Sequence, residues 1–148
     1  MGQHRRALVL DANILIRAVL GERVRNLILE HRHRVHFFTP GVCIDDARKY
    51  LPEILSRRGI DPDLALQTLD LLLEHIDRIE DDWLSDYAET AKARIGKRDW
   101  ADWPVLAGAL ALSCPIWTHD TDFFGVGVPT WTTEHIPVYF TISASSGS

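Results

Sequence analysis

The sequence has few of the features that would place it in a specialised structural class. Its 148 residues include only two cysteines, Cys43 and Cys114, which lie far apart in apolar stretches. This spacing disfavours both a disulfide framework and a zinc motif, so we expect two buried, reduced thiols. No apolar run approaches the roughly 18 residues that a membrane span requires. We therefore expect a cytoplasmic protein that has no membrane segment.

Basic charge is also scarce. The chain has 16 Lys and Arg residues against 21 Asp and Glu residues, which gives a formal net charge of -5. Domains that hold nucleic acid by a broad basic surface carry an excess of basic residues. Any contact with nucleic acid must therefore be local. Bound cations are one source of the missing positive charge, because a metal ion is often the largest local charge in its site.

The length and the hydrophobic content of 46% suit one compact domain. We assign this domain to residues 1–140. Residues 141–148 are mostly small and polar, and we expect them to form a disordered tail. Upstream, short apolar runs that fit buried parallel strands alternate with longer stretches of helical period. This alternation predicts an α/β sheet with crossover helices.

The pattern also predicts the approximate positions of the elements. The expected strands cover residues 7–10, 35–39, 76–79, 115–118 and 129–132. The expected helices cover residues 13–20, 44–57, 64–74, 82–95 and 102–112.

Acidic residues lie where the predicted strands end or where the next helix begins. Ligands of an open α/β sheet bind outside the carboxyl ends of the strands, so acids at these places carry more weight than acids on helix surfaces. Four segments supply them: Asp11, the pair Asp45 and Asp46, the pair Asp99 and Asp102, and the pair Asp120 and Asp122. Only one of Asp45 and Asp46 can face the site from a helix. We choose Asp46.

Each of these acids also has a purely structural interpretation. Asp11 and Asp102 could cap the helices that follow them. The two acids after strand 115–118 could be turn residues, and the pair early in helix 44–57 could be solvated acids favoured by the helix dipole. Their joint occurrence favours a site, because clustered carboxylates repel one another unless cations lie between them. Oxygen ligands select Mg²⁺ or Mn²⁺, which can promote the attack of water on a phosphodiester.

Three features resemble the PIN domain family: the stretch Leu-Asp-Ala-Asn-Ile-Leu at residues 10–15, Asp102 eighteen residues before Asp120, and the stretch Trp-Thr-His-Asp-Thr-Asp-Phe at residues 117–123. The likeness runs from about residue 7 to about residue 133. It extends to the VapC-type toxins of bacterial toxin–antitoxin pairs and to stand-alone PIN proteins. The resemblance implies a three-layer α/β/α sandwich with a mainly parallel sheet of four to five strands. It also implies Mg²⁺- or Mn²⁺-dependent endoribonuclease activity.

The resemblance assigns roles to individual residues. It makes Asp11, Asp102, Asp120 and Asp122 the metal ligands, and Asn13 and Thr118 the supporting polar residues. The second acid of the family is normally a glutamate, but residues 41–47 offer only Asp45 and Asp46. We assign catalysis to four acids: Asp11, Asp46, Asp102 and Asp120. Asp99 is an additional acid that could compete with Asp102, and we count Asp99 and Asp45 among the supporting residues.

The expected partners are an RNA substrate, an antitoxin protein if the chain belongs to the toxin branch, and a second copy of the chain. Lys97 and Arg98 could touch an RNA phosphate, although a solvated loop is the other interpretation. A homodimer is expected because the helical stretches 61–76 and 83–95 are amphipathic.

Two other functions compete with the ribonuclease. A phosphatase of the haloacid dehalogenase type needs a second aspartate two residues after the first, and Asn13 stands there. A PIN scaffold without catalytic activity, which binds RNA or protein, stays open because the usual glutamate is replaced by aspartate.

Overall fold

A computed structural model describes residues 6–96 and 102–145 of the chain. Five strands form one sheet: β1 (Arg6–Leu10), β2 (Val35–Pro40), β3 (Ile76–Ile79), β4 (Ile116–Trp117) and β5 (Thr130–Trp131). All neighbouring strands are parallel, and their order is β3-β2-β1-β4-β5. The predicted α/β class and mainly parallel sheet are therefore confirmed.

Eight α-helices flank the sheet within the described residues: α1 (Ala12–Leu20), α2 (Glu22–His31), α3 (Gly41–Arg57), α4 (Pro62–Leu73), α5 (Asp81–Ser85), α6 (Ala88–Ile95), α7 (Trp103–Leu112) and α8 (Ile136–Ser145). The sequence predicts one helix over residues 82–95, whereas the structure has two, with Asp86 and Tyr87 between them. Helix α3 continues through Pro52.

The burial of the central strand β1 shows that the sheet is covered on both faces. Leu8, Val9 and Leu10 are successive residues with no exposed surface, although alternate residues of a strand point to opposite faces. β1 pairs with β2 on one side and with β4 on the other. The chain order reverses between β1 and β4, which is the place where parallel α/β sheets open a crevice at the carboxyl ends of their strands.

Helices α1 to α4 pack on one another, and α5 and α6 pack on α7. Helix α7 is apolar on all sides and also contacts β1, β2 and β4. Gly108 leaves room for the strands beneath it, since a Cβ atom at that position would lie 2.8 Å from Cδ1 of Ile79 in β3 and 3.8 Å from Cγ2 of Val9 in β1. The result is the three-layer α/β/α arrangement that the resemblance implied.

Helix α8 differs from the sequence-based expectation. It includes residues 141–145, for which the sequence predicts a disordered tail. Two aromatic residues anchor it: the Tyr139 hydroxyl donates a hydrogen bond to the carbonyl oxygen of Ala7 at 2.9 Å, and Phe140 lies edge-on to Phe37 and Trp117. Contacts with distant strands order this segment, and such contacts have no periodic signature in the sequence.

Both cysteines are free and buried, as expected. Burial raises the pKa of the Cys114 thiol to about 12. Burial also raises the pKa of the Cys43 thiol, and the Asp11 carboxylate adds to that increase. Neither group therefore forms a thiolate at neutral pH. No helix in the described part of the chain has the length and apolar character to cross a membrane.

Candidate metal centre

Asp11 follows β1 and begins α1. It is 6% exposed, and its extended backbone places the side chain over the first turn of the helix. Oδ1 accepts a hydrogen bond from the backbone N–H of Ile14 at 2.9 Å. Oδ2 accepts a hydrogen bond from the hydroxyl of Thr118. Asp11 is therefore a helix cap, and it also bridges the carboxyl ends of β1 and β4.

The segment after β4 continues this network. The Thr118 hydroxyl accepts a hydrogen bond from the backbone N–H of Asp120 at 2.9 Å. Oδ1 of Asp120 accepts one from the backbone N–H of Asp122, also at 2.9 Å. These bonds fold residues 121–123 into a short 3₁₀ turn. Asp120 thus has the turn role proposed as its structural interpretation, and the same turn presents its carboxylate beside Asp11.

Three carboxylates form a compact group at the start of α7 and the turn after β4. One oxygen atom from each of Asp102, Asp120 and Asp122 lies within 4.8 Å of the other two, and all three residues are half-buried. Asp102 precedes α7 but makes no capping hydrogen bond to the described first turn of that helix. Capping therefore does not account for the position of its carboxylate.

A polar cavity of about 290 Å³ joins this group to Asp11. Its acidic lining residues are Asp11, Asp46, Asp102 and Asp120. Asn13 also lines the cavity, whereas Asp45 is exposed and lies outside it. Helix α3 begins at Gly41, so both acids of the pair follow its first turn, and the helical rotation between neighbours separates them.

The electrostatics of the cavity are unfavourable for Asp11 when no cation is bound. Burial raises the pKa of the Asp11 carboxyl above its ordinary value, and the Asp120 carboxylate adds to the increase. The hydrogen bonds from Thr118 and Ile14 oppose it without cancelling it. A positive charge in the cavity would relieve this cost.

The donor set fits a hard divalent cation. Mg²⁺ binds oxygen atoms at about 2.1 Å, so two ligands on opposite sides of the ion are about 4.2 Å apart. The oxygen atoms of Asp102, Asp120 and Asp122 lie within 4.8 Å of one another, which is close to this spacing. Carboxylates without nearby thiolate or imidazole ligands favour Mg²⁺ or Mn²⁺ over zinc.

Three predicted residues, Lys97, Arg98 and Asp99, lie outside the described part of the chain. The structure adds Cys43 and Tyr50 to the lining of the cavity. Neither carried a chemical signal in the sequence. Helical spacing could have indicated both, because Cys43, Asp46 and Tyr50 recur at intervals of three and four residues along α3.

Comparison with solved structures supports the same fold. PAE2754 from Pyrobaculum aerophilum superposes with a TM-score of 0.71 at 19% identity, over 94% of this chain and 99% of that chain. VapBC2 from Rickettsia felis, bound to a DNA fragment from their promoter, gives a TM-score of 0.61 at 12% identity, over 85% and 98%. FitAcB from Neisseria gonorrhoeae gives 0.53 at 21% identity, over 86% and 99%.

No curated protein matches the sequence significantly. A family model described as PIN domain does match, over residues 9–141. That range contains every candidate metal ligand. It also contains all five strands except residues 6–8 of β1. The resemblance seen in the sequence is confirmed, and the chain belongs to the PIN domain family.

Proposed function

We propose that the protein is a metal-dependent endoribonuclease that hydrolyses RNA phosphodiester bonds. The observation that carries this proposal is the convergence of Asp102, Asp120 and Asp122 within 4.8 Å, beside a cavity that also contains the buried Asp11. Such a cluster is costly unless cations compensate it. Membership of the PIN domain family supports nuclease chemistry for the cluster.

Four acids would hold the cations: Asp11, Asp102, Asp120 and Asp122. Bound Mg²⁺ or Mn²⁺ would supply the positive charge that activates water and stabilises the leaving oxygen. In the hydrolysis, a water oxygen would bond to phosphorus while the bond from phosphorus to one bridging oxygen breaks. The water would lose a proton to solvent, and the departing oxygen would take one up. Thr118 orients Asp11 by donating its hydroxyl hydrogen, and Asn13 provides an uncharged polar group at the cavity wall.

Asp46 takes the place of the usual family glutamate in this proposal. It lines the cavity from α3, while Asp45 is exposed and lies outside the cavity. Its side chain is one methylene shorter than that of glutamate, so contact with a cation through water is the expected mode. We assign Asp46 a catalytic role and Asp45 none.

An antitoxin partner is part of the proposal. VapBC2, which shares the fold, was solved bound to a DNA fragment from their promoter. A toxin–antitoxin pair with this fold is therefore a precedent for control of this chain by an antitoxin protein. A homodimer is also proposed, because α4 exposes Leu64 at 71% and Leu71 at 63%, and α5 exposes Trp83 at 58%.

The test is cleavage of single-stranded and structured RNAs with Mg²⁺, with Mn²⁺ and with chelator. We expect cleavage that requires one of the two ions. Asp11→Asn and Asp120→Asn should abolish it, and Asp45→Asn should leave it unchanged as the matched control. If the folded protein binds RNA but cleaves none of the substrates with either ion, the chain is a PIN scaffold and the enzyme proposal is wrong.

A further inference from the structure

A second cavity, of about 630 Å³, lies at the C-terminal end of α1, whereas the acidic one lies toward its N-terminal end. Three arginines line it, Arg17, Arg23 and Arg58, and we call it the arginine pocket. One acidic residue, Glu134, also lines it, so its formal charge is +2 in a chain whose net charge is -5. Arg17 comes from α1, Arg23 from α2 and Arg58 from the end of α3. Two segments distant in sequence, the α1–α2 region and the end of α3, thus converge on one cationic surface.

No ion pair between described residues neutralises the arginines of this pocket. Arg17, Arg23 and Arg58 are exposed, and none of them belongs to an ion pair in the described part of the chain. Helix dipoles explain only part of the placement, because Arg17 is in the last turn of α1 and Arg58 is the C-cap of α3. Arg23 lies in the first turn of α2, where a helix dipole disfavours a cation.

The arginine pocket adjoins the acidic cavity through two pairs of consecutive residues. Ile16 lines the acidic cavity and Arg17 lines the arginine pocket, while Asp120 lines the acidic cavity and His119 lines the arginine pocket. Arg17 is six residues beyond Asp11, a distance of about 9 Å along the axis of α1. The two cavities are therefore within reach of a single strand of nucleic acid.

The shared wall between the two cavities is held rigidly. His119 Nε2 is 2.7 Å from the Thr133 hydroxyl, and that hydroxyl accepts a hydrogen bond from the buried Trp117 indole N–H at 3.1 Å. These bonds fix His119, which lines the arginine pocket, beside Asp120, which lines the acidic cavity.

We propose that the arginine pocket binds a backbone phosphate of the RNA strand whose neighbouring phosphodiester occupies the acidic cavity. This inference rests on the proposed function and names the part of the substrate that this pocket recognises. Guanidinium groups match the geometry of phosphate oxygens and form paired hydrogen bonds with them. Such contacts position a strand without reading its sequence. They also explain how an acidic protein can hold an anionic polymer.

The test compares Arg58→Gln with Arg57→Gln. Both substitutions remove one positive charge near the end of α3, but only Arg58 lines the arginine pocket. Binding of a short fluorescein-labelled single-stranded RNA is measured by anisotropy in the Asp11→Asn protein across a range of salt concentrations. We expect Arg58→Gln to reduce the slope of log K against log salt by about 0.7, and the triple Arg17→Gln, Arg23→Gln, Arg58→Gln protein by about 2. Arg57→Gln should leave the slope unchanged.

Cleavage kinetics provide the second readout. In the otherwise unmodified protein, Arg58→Gln should raise KM and leave kcat nearly unchanged, because the contact exists before and during the reaction. Equal slopes and equal KM values for Arg57→Gln and Arg58→Gln, in a protein that cleaves RNA, would overturn the inference and leave the nuclease intact. If neither the unmodified protein nor its arginine variants cleave RNA, but RNA binding still depends on the arginines, the arginine pocket is supported and the nuclease proposal is rejected. Arginine-dependent binding of poly-glutamate without arginine-dependent binding of RNA would identify an acidic protein partner instead and overturn the inference.

Discussion

Replacement of Asp11 by asparagine should stabilise the protein in the absence of metal. Burial and the Asp120 carboxylate raise the pKa of Asp11, so its ionised form destabilises the fold at neutral pH. Asparagine removes this charge and keeps the capping bond to the backbone N–H of Ile14, since Asn and Asp are about equally good N-caps. The Asn amide can also donate to the Thr118 hydroxyl, which reverses the direction of the existing bond.

The size of the effect follows from linkage between ionisation and folding. Each unit by which a pKa is raised in the folded state corresponds to about 1.4 kcal/mol of lost stability once the pH exceeds that pKa. For a domain of this size, 1 kcal/mol shifts Tm by about 2–4 °C. We therefore expect Asp11→Asn to raise Tm in chelator at pH 7, by about 3–6 °C for each tenfold weakening of the Asp11 acid in the folded protein. Asp45→Asn, at an exposed position in α3, should change stability by no more than about 0.5 kcal/mol.

The pH dependence has a definite sign. The stabilising contribution of protonated Asp11 is complete below the ordinary aspartate pKa of 3.8, and it is lost as the pH rises through the raised pKa of the folded state. The stability gain of Asp11→Asn should thus be absent in strong acid, grow above about pH 4 and then level off. Thermal melts across this range in chelator measure it. A Tm for Asp11→Asn at or below that of the unmodified protein at pH 7 would refute the burial argument.

Three further predictions test the rest of the site and the fold. Asp46→Ala should lower cleavage or metal affinity about 10- to 100-fold in an Mn²⁺ titration, as the loss of an outer-shell ligand does, while Asp45→Ala should have no effect; equal losses would show that the assignment within this pair is wrong. Thr118→Val should cause a loss of similar size, measured as initial cleavage rates, and Thr118→Ser should restore most of it because the serine hydroxyl can still donate to Asp11. Phe140→Ala should reduce the free energy of unfolding by about 3–5 kcal/mol in urea titrations, and Val138→Ala, at a half-exposed position of the same helix, by less than about 0.5 kcal/mol; a small effect of Phe140→Ala would contradict the packing of α8 on the sheet.

The elements that the sequence predicted well are those whose surroundings are uniform along their length. β1 is buried on both faces, so its apolar run at residues 7–10 could only be a strand in the interior of the sheet. Helix α7 is apolar on all sides, so its position was clear even though it has no polar face. In both cases the apolar residues of the segment already indicate the burial that the folded structure shows.

Features that depend on distant contacts could not be predicted. The order of helix α8 depends on Phe140, which packs on strands about 20 to 100 residues earlier in the chain. The arginine pocket depends on three helices whose ends meet only after folding. The acids were easier to find, because Asp11 and Asp120 follow parallel strands, whose carboxyl ends share one edge of the sheet. Asp46 and Asp102 lie instead early in a helix or directly before one.

The structural and functional interpretations of Asp11 are not alternatives. One oxygen of its carboxylate caps α1 and the other receives the hydroxyl of Thr118, so the bonds that stabilise the fold also hold the carboxylate at the edge of the cavity. The same holds for Asp120. Its carboxylate accepts the hydrogen bond from the backbone N–H of Asp122 that closes the turn, and its charge raises the pKa of Asp11. When such a residue is considered alone, capping or a turn explains its local sequence completely. The functional signal lies in the cost of placing several such residues together, because the hydrogen bonds to Asp11 still leave its pKa raised. A cation that removes this residual cost would stabilise the protein by about 2.7 kcal/mol at one hundred times its Kd, and Asp11→Asn should abolish most of that gain.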